Sequence, residues 1–419
     1  MFTTVSAVAY IPPLKRVGFT PHLIIRKVTM LGHKDHGKST LLGSLLIATK
    51  AVSEERIAEA RRISKELGRD FEPGFILDAF SEEREGGLTI DTTRAELKYK
   101  GVGFEFIDVP GHEELIKNML TGASNANTAL LVVSAMHNEG ITDQTKRHLF
   151  IAKMLGISNI VVAVNKMDAV KYDKTTFSNI TNDLSKYFEA IGFPSHNVSF
   201  VPISAYDGDN LIRRSKSMAW YKGPPLMDLV LRASEPAEKK SGRLRVVLQG
   251  RLGEMVTGRV VSGVLKRGFT IAIYPRIERV IVPDIVVAGR KRGIAKAGEN
   301  IAVKMSINGQ PDGRIGCSAG DRPMVAKGFD AMIFITAHIK GRIRIVINGA
   351  SVAAAISKIR AIDTSTGMQM RGKPGTLDAA YAEIRLAHEV AFERFSEFEE
   401  LGRFTIYNSR GFAGFGIVV

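Results

Sequence analysis

The segment Gly32-His33-Lys34-Asp35-His36-Gly37-Lys38-Ser39, followed by Thr40, places a lysine and a hydroxyl directly after the second of two spaced glycines. Glycines let a backbone curl until successive N–H groups face one point, and a helix starting there adds a field that favours an anion. In such a loop Lys38 would neutralise the β- and γ-phosphates of a nucleotide, and Ser39 would ligate Mg²⁺. The same residues outside that context make a tight turn with an exposed lysine. What lies around them decides.

Three more short motifs follow in chain order. Asp108-Val109-Pro110-Gly111 ends an apolar run, which suits Asp108 to a magnesium shell, through water, and the Gly111 N–H to sensing a γ-phosphate. Asn165-Lys166-Met167-Asp168 also ends an apolar run. A carboxylate at Asp168 can accept from both N1–H and the exocyclic amine of guanine, a pair of donors that adenine lacks. Ser204-Ala205 closes the series after another apolar run. Together these predict a site for GTP and GDP with Mg²⁺, and hydrolysis of GTP to GDP and phosphate.

The elements needed to hold these motifs are legible. Val28 to Leu31 reads as a strand and Leu41, Leu42, Leu45 and Leu46 as the inner face of a helix, so the first loop sits between them. Phe104 to Ile107, Ala129 to Val133, Ile160 to Val164 and Ser199 to Ile203 have the continuous apolar character of buried parallel strands. Thr145 to Leu155 and Thr176 to Ile191 carry helical spacing between them. Strands alternating with helices predict a doubly wound, mostly parallel α/β domain over 21–236. A charged stretch with Pro236, Glu235 to Ser241, reads as a linker. Short Val- and Ile-rich runs with frequent glycines follow, as at Val256 to Val264, Ile271 to Tyr274 and Ile301 to Met305. A break near Pro323 to Gly328 divides them, predicting two all-β barrels over 242–326 and 327–419. Residues 1–20 are expected to form an N-terminal extension of unassigned role, because Lys15 and Arg16 follow rather than precede its apolar residues, the wrong order for a secretory signal.

Composition bounds the partners. The chain has 419 residues, 45% apolar and 24% charged, and a net charge of +15 from 58 Lys and Arg against 43 Asp and Glu. That excess favours a polyanion such as RNA, and basic residues crowd 239–300, among them Lys239, Lys240, Arg243, Arg245, Arg290, Lys291 and Arg292. The single cysteine, Cys317, excludes an internal disulfide and a cysteine metal cluster, and fits a reducing cytoplasm. No apolar run is long enough to span a membrane, so no membrane partner is expected.

The resemblance to a known family rests on several stretches. Gly87-Leu88-Thr89-Ile90-Asp91, the run from Asp108 to His112, Lys117 to Ser124, and Ser217 to Pro224 all resemble archaeal and eukaryotic elongation factor 1-alpha, of the elongation factor Tu family. Gly258 to Lys266 looks like that family's barrel signature, and Leu401-Gly402-Arg403-Phe404 like its last hairpin. The resemblance implies that Thr89 meets Mg²⁺ and the γ-phosphate, and that His112 is the catalytic residue that orients the attacking water. It further implies a monomer whose partners are aminoacyl-tRNA, the ribosome and a nucleotide-exchange factor.

Two departures qualify it. Lys34 stands where the family usually carries the valine of an apolar gate shared with the residue matching Leu88, so control of hydrolysis is expected to differ. The run Ile335 to Arg342 is shorter than the family's loop and lacks its Gly-Tyr element, which points to a paralogue. Ribosome-rescue, release-factor-partner and selenocysteine-delivery GTPases share the nucleotide domain and stay open as alternatives. The regulatory GTPase subunit of sulfate adenylyltransferase resembles Gln144 to Ala152 more closely, but the charge and Asp35-His36-Gly37 argue against it.

Overall fold

The computed structural model describes residues 25–66, 68, 70–80, 94–108, 126–137, 139, 141–235, 242–337, 339, 342–372 and 374–419. The N-terminal extension, Thr89, Gly111 and His112 lie outside these residues. So do the stretches Gly87 to Asp91 and Lys117 to Ser124 that carried part of the resemblance, and parts of the run Ile335 to Arg342.

The first sheet joins β1 (Ile25–Leu31), β2 (Arg94–Tyr99), β3 (Val102–Asp108), β4 (Thr128–Ser134), β5 (Asn159–Asn165) and β6 (Val198–Pro202). Their order is β2-β3-β1-β4-β5-β6, parallel throughout except for the antiparallel edge strand β2. β4 is buried along its whole length, which is what its unbroken apolar sequence requires of a central strand. Chain order reverses on either side of β1, and in such sheets a ligand crevice opens beyond the carboxyl ends of the strands at the reversal. The helices described are α1 (Lys38–Ala48), α2 (Glu54–Glu66), α3 (Phe75–Phe80), α4 (Asp143–Met154), α5 (Lys174–Ala190) and α6 (Leu226–Ala233). Leu41, Leu45 and Leu46 of α1 pack with Val28 and Met30 of β1 and Phe106 of β3 in one core. α5 starts two residues earlier than its apolar spacing suggests, because Asp173 Oδ2 accepts from the Thr176 N–H at 2.7 Å and its hydroxyl at 2.8 Å.

The chain divides into two compact units. Of the described residues, one takes those up to Ile141 with Ser158–Asn182 and His196–Ser234; the other takes those of Thr142–Ile157, Asp183–Ser195 and Glu235–Val419. The second unit holds β7 (Arg245–Leu252), β8 (Met255–Ser262), β9 (Val264–Lys266), β10 (Thr270–Tyr274), β11 (Glu278–Ile281), β12 (Ile285–Val287), β13 (Arg290–Arg292), β14 (Ile294–Lys296), β15 (Asn300–Val303) and β16 (Ile315–Ser318). Eight of them form a sheet of order β11-β10-β16-β7-β8-β15-β12-β13, and β14 pairs with β9 in a ribbon. The run Val256 to Val264 is broken at Gly263, whose φ is 72° and whose Cβ would fall 2.9 Å from the Leu244 Cα, so only glycine fits that corner.

The remaining strands are β17 (Met324–Ile335), β18 (Ile343–Ile347), β19 (Ala350–Ile362), β20 (Ala379–Phe392), β21 (Arg403–Asn408) and β22 (Gly411–Val418). They close into a barrel of order β17-β20-β19-β18-β21-β22. Its interior stacks Phe329 against Phe392 and Phe404, with ring centroids 4.9 and 5.3 Å apart. The two β regions meet on a shared core of Val247, Ala272, Ile315 and Cys317 from one and Phe398 and Leu401 from the other. Burial pushes the Cys317 thiol up to about 11, as expected for a packing residue rather than a reactive one. Among the described residues no helix is long and apolar enough to cross a membrane.

Candidate functional site

Each motif reaches the same edge of the first sheet because each follows the carboxyl end of a parallel strand. The loop Gly32 to Gly37 follows β1, Asp108 ends β3, Asn165 ends β5, and Ser204 lies just beyond β6.

The first loop is shaped by contact as well as by its glycines. Gly32, at φ 134°, passes so close to β4 that a Cβ would lie 2.3 Å from the Val132 carbonyl oxygen. Gly37, at φ 84°, would place a Cβ 2.5 Å from the Asn165 Nδ2. Between them Lys34, Asp35 and His36 form one tight turn, in which Lys34 and Asp35 are exposed and His36 is buried. His33 caps that turn, its ring Nδ1 accepting from the Asp35 N–H at 3.4 Å. The His36 ring nitrogens face the Val132 carbonyl at 3.1 Å and the Glu139 carbonyl at 3.1 Å. Burial holds the His36 pKa below the ordinary histidine value, so the ring is neutral and donates from one nitrogen.

Lys38 opens α1, and its ammonium curls over the loop to donate to the Gly32 carbonyl at 3.0 Å and the His33 carbonyl at 3.1 Å. The N-cap of α1 is Gly37, with no side chain to satisfy the first-turn N–H groups. A glycine-lined loop, a helix start without a side-chain cap and a lysine held across the loop fit a phosphate group. Ser39 is exposed in the first turn of α1, and the Thr40 hydroxyl donates to Glu72 Oε1 at 2.5 Å. Among the described residues no group of three or more His, Cys, Asp or Glu could hold a metal.

Asn165 ties three motifs together. Its Nδ2 donates to the His36 carbonyl at 2.9 Å, and its Oδ1 accepts from the Ala205 N–H at 2.9 Å. Ser44 of α1 donates to the Ala205 carbonyl, fixing the same turn from the other side. Lys166, at φ 61°, pairs with Glu139 at 2.7 Å, and that hydrogen bond is the first cause holding the Glu139 carboxyl below its ordinary range. Asp168 is half-buried in the turn after Met167. The arrangement therefore brings together Gly32, Gly37, Lys38, Asn165, Lys166, Ser204 and Ala205. Glu139, Ser44, Tyr172 and Asp207 join them without any sequence signal, since a partner supplied from a distant loop leaves no local pattern.

A doubly wound sheet with a phosphate-type loop and a second Asn-Lys-x-Asp turn at the same edge defines a nucleotide-binding protein of the GTPase class. Residues 23–236 match the elongation factor Tu GTP binding domain, and 328–419 match the GTP-eEF1A C-terminal domain-like family. Elongation factor 1-alpha of Aeropyrum pernix is 36% identical over 95% of this chain and 96% of its own length. The factors of Hyperthermus butylicus and Saccharolobus solfataricus are 37% and 35% identical, covering 95% of this chain and 96% and 97% of their own. A solved structure of Sup35 complexed with GDP aligns over 95% of this chain and 94% of its own, at 22% identity and a TM-score of 0.41. The chain belongs to the elongation factor 1-alpha branch of the translational GTPases.

Proposed function

We propose that this protein is a GTP-hydrolysing translation factor that binds aminoacyl-tRNA or a ribosomal partner in its GTP state and releases it after hydrolysis. The observation that carries the reading is the convergence of the Gly32–Lys38 loop, Asn165 and Ala205 on one sheet edge through buried hydrogen bonds. In this reading the loop N–H groups and Lys38 bind the phosphates, Asp168 reads guanine, and Ser39, Thr89 and, through water, Asp108 serve Mg²⁺. When bound, the ion neutralises charge on the phosphate oxygens. Thr89, Gly111 and His112 complete the proposal as γ-phosphate contacts and water-orienting residue. Phosphoryl transfer to water demands a positioned nucleophile more than a strong base, which suits a histidine in that role.

The net charge of +15 supports an RNA partner in the cytoplasm, because each phosphate neutralised by Lys or Arg releases a counterion. The test is protection of aminoacyl-tRNA from spontaneous deacylation, with the protein in its GTP-analogue and GDP states at near-physiological salt. Protection with the GTP analogue alone is the expected result. Ribosome-stimulated hydrolysis without protection would move the protein to the rescue or release group, and absence of both would overturn a translational role.

A further inference from the structure

Two turns would surround a guanine base, Asn165 to Asp168 after β5 and Ser204-Ala205 after β6, and a chain of side chains outside both of them links one to the other. After Asp168 the backbone makes a compact knot in which Lys171 and Tyr172 both take left-handed φ values, 54° and 59°. Two consecutive non-glycine residues in that region need outside support, since the conformation crowds each Cβ against its own backbone. Tyr172 has that support at three points. Its N–H donates to the Met167 carbonyl at 2.7 Å, its carbonyl accepts from Trp220 Nε1 at 3.0 Å, and its hydroxyl donates to Asp207 Oδ2 at 3.0 Å.

Asp207 completes the link. The same Oδ2 accepts from the buried Ser204 hydroxyl at 3.0 Å, while the Asp207 N–H donates to the Ser204 Oγ at 3.2 Å. One carboxylate oxygen thus joins the tyrosine that shapes the first turn to the serine that opens the second. Trp220 is held in turn against Phe177 of α5, with ring centroids 5.4 Å apart. Burial first, and the neighbouring Asp207 carboxylate second, push the Tyr172 phenol well above its ordinary value, so it stays a donor.

We propose that Tyr172 and Asp207 are positioning residues for guanine specificity, setting the distance between the carboxylate of Asp168 and the Ser204-Ala205 turn, with Trp220 holding Tyr172 in place. The inference rests on the reading of this edge as a guanine site. Discrimination by a carboxylate that accepts two donors depends on its placement to a fraction of an ångström, so a loosened turn costs selectivity before it costs affinity for the phosphates.

The experiment compares dissociation constants for GDP and for IDP, which lacks the exocyclic amine, in the full-length protein and in Tyr172→Phe, Asp207→Ala and the double variant. The GDP:IDP preference is expected to fall about five- to tenfold in each single variant, with the double variant no worse than either. Trp220→Phe, which keeps an aromatic ring but loses the donor, should show a smaller fall. An unchanged preference in both single variants would overturn the proposal. So would equal weakening of GDP and IDP with a lowered melting temperature, because a merely structural tyrosine would act in that way. Asp168→Asn tests the underlying reading separately. It should shift preference from GDP to XDP, and if it does not, the guanine site itself is misplaced whatever the tyrosine does.

Discussion

The turns at the carboxyl edge of the first sheet and the seam between the two β regions are both organised by buried polar groups, but by opposite means. At the sheet edge the buried ties made by Asn165 and Ser44 are single neutral hydrogen bonds: Asn165 to the His36 carbonyl, Ala205 to Asn165, Ser44 to the Ala205 carbonyl. They fix the backbone while leaving the first turn of α1 without a side-chain cap. At the seam the tie is a closed ionic cluster. Arg245 is fully buried, donates through Nε to Glu393 at 2.5 Å and in bidentate fashion to Asp321 at 2.8 and 3.0 Å, and stacks over Phe398 at 5.0 Å. One kind of construction holds turns in place by lone neutral bonds and leaves a helix start without a side-chain cap; the other surrounds a buried cation with carboxylates. A nucleotide site needs the first, and a joint that keeps two β regions in one body needs the second.

Removing Arg245 should have the largest effect and separates the two constructions. Arg245→Met leaves the buried Glu393 and the half-buried Asp321 without their guanidinium. Loss of one partner of a buried pair costs about 3–5 kcal/mol, because the remaining charge is uncompensated. Urea unfolding should show that loss, while GDP affinity of the folded protein should change by no more than about twofold, as for independent sites. A parallel collapse of GDP affinity would show that the seam and the site are not independent.

Asn165→Ala is the converse test and ranks second. It strips the partner from the His36 carbonyl and from the Ala205 N–H, both of them in the interior. Unsatisfied buried groups cost about 1–3 kcal/mol, so GDP affinity should fall by about tenfold or more. A nucleotide-exchange assay measures it. An affinity within error of the parent would mean that the turns hold their places without the asparagine.

These two residues also show what the sequence could and could not disclose. Asn165 was visible because it sits in a short motif directly after an apolar strand, where local pattern and role coincide. The parallel strands and α1 were visible for the same reason: unbroken apolar runs and a leucine-rich helix face are local signals of burial. Arg245 read only as one of many basic residues in a cationic stretch, whereas it is fully buried. Its partner Glu393 lies directly after β20, at a position that reads locally as unremarkable, and the two meet only once both β regions have formed. Glu139 and Asp207 were missed on the same physical grounds, since a loop that supplies one carboxylate to a distant turn carries no periodicity. The association of Thr142–Ile157 and Asp183–Ser195 with the β regions is another instance. It includes the Tyr187 hydroxyl, which lies 2.7 Å from the Lys146 carbonyl and 2.6 Å from the Thr364 carbonyl, a contact no local pattern announces.

The smallest effect, and the one that sharpens the account of the sheet edge, concerns His36. Two carbonyls face its ring, at 3.1 Å each, which would favour an imidazolium; burial favours the neutral form and prevails, lowering the pKa in the folded state. The unfolded chain then takes up the proton first as pH falls. Stability from this group is therefore complete above the unfolded value of about 6.5 and is lost as pH drops through the folded value. Urea unfolding of the parent protein should weaken over that window, and His36→Gln, which does not titrate there, should flatten the slope while carboxylates act equally in both. If the parent protein instead gains stability on acidification relative to His36→Gln, the two carbonyls outweigh burial and hold a charged ring. The phosphate loop would then carry a buried positive charge beneath it, and its affinity for an anion would rise, rather than fall, as the medium turns acid.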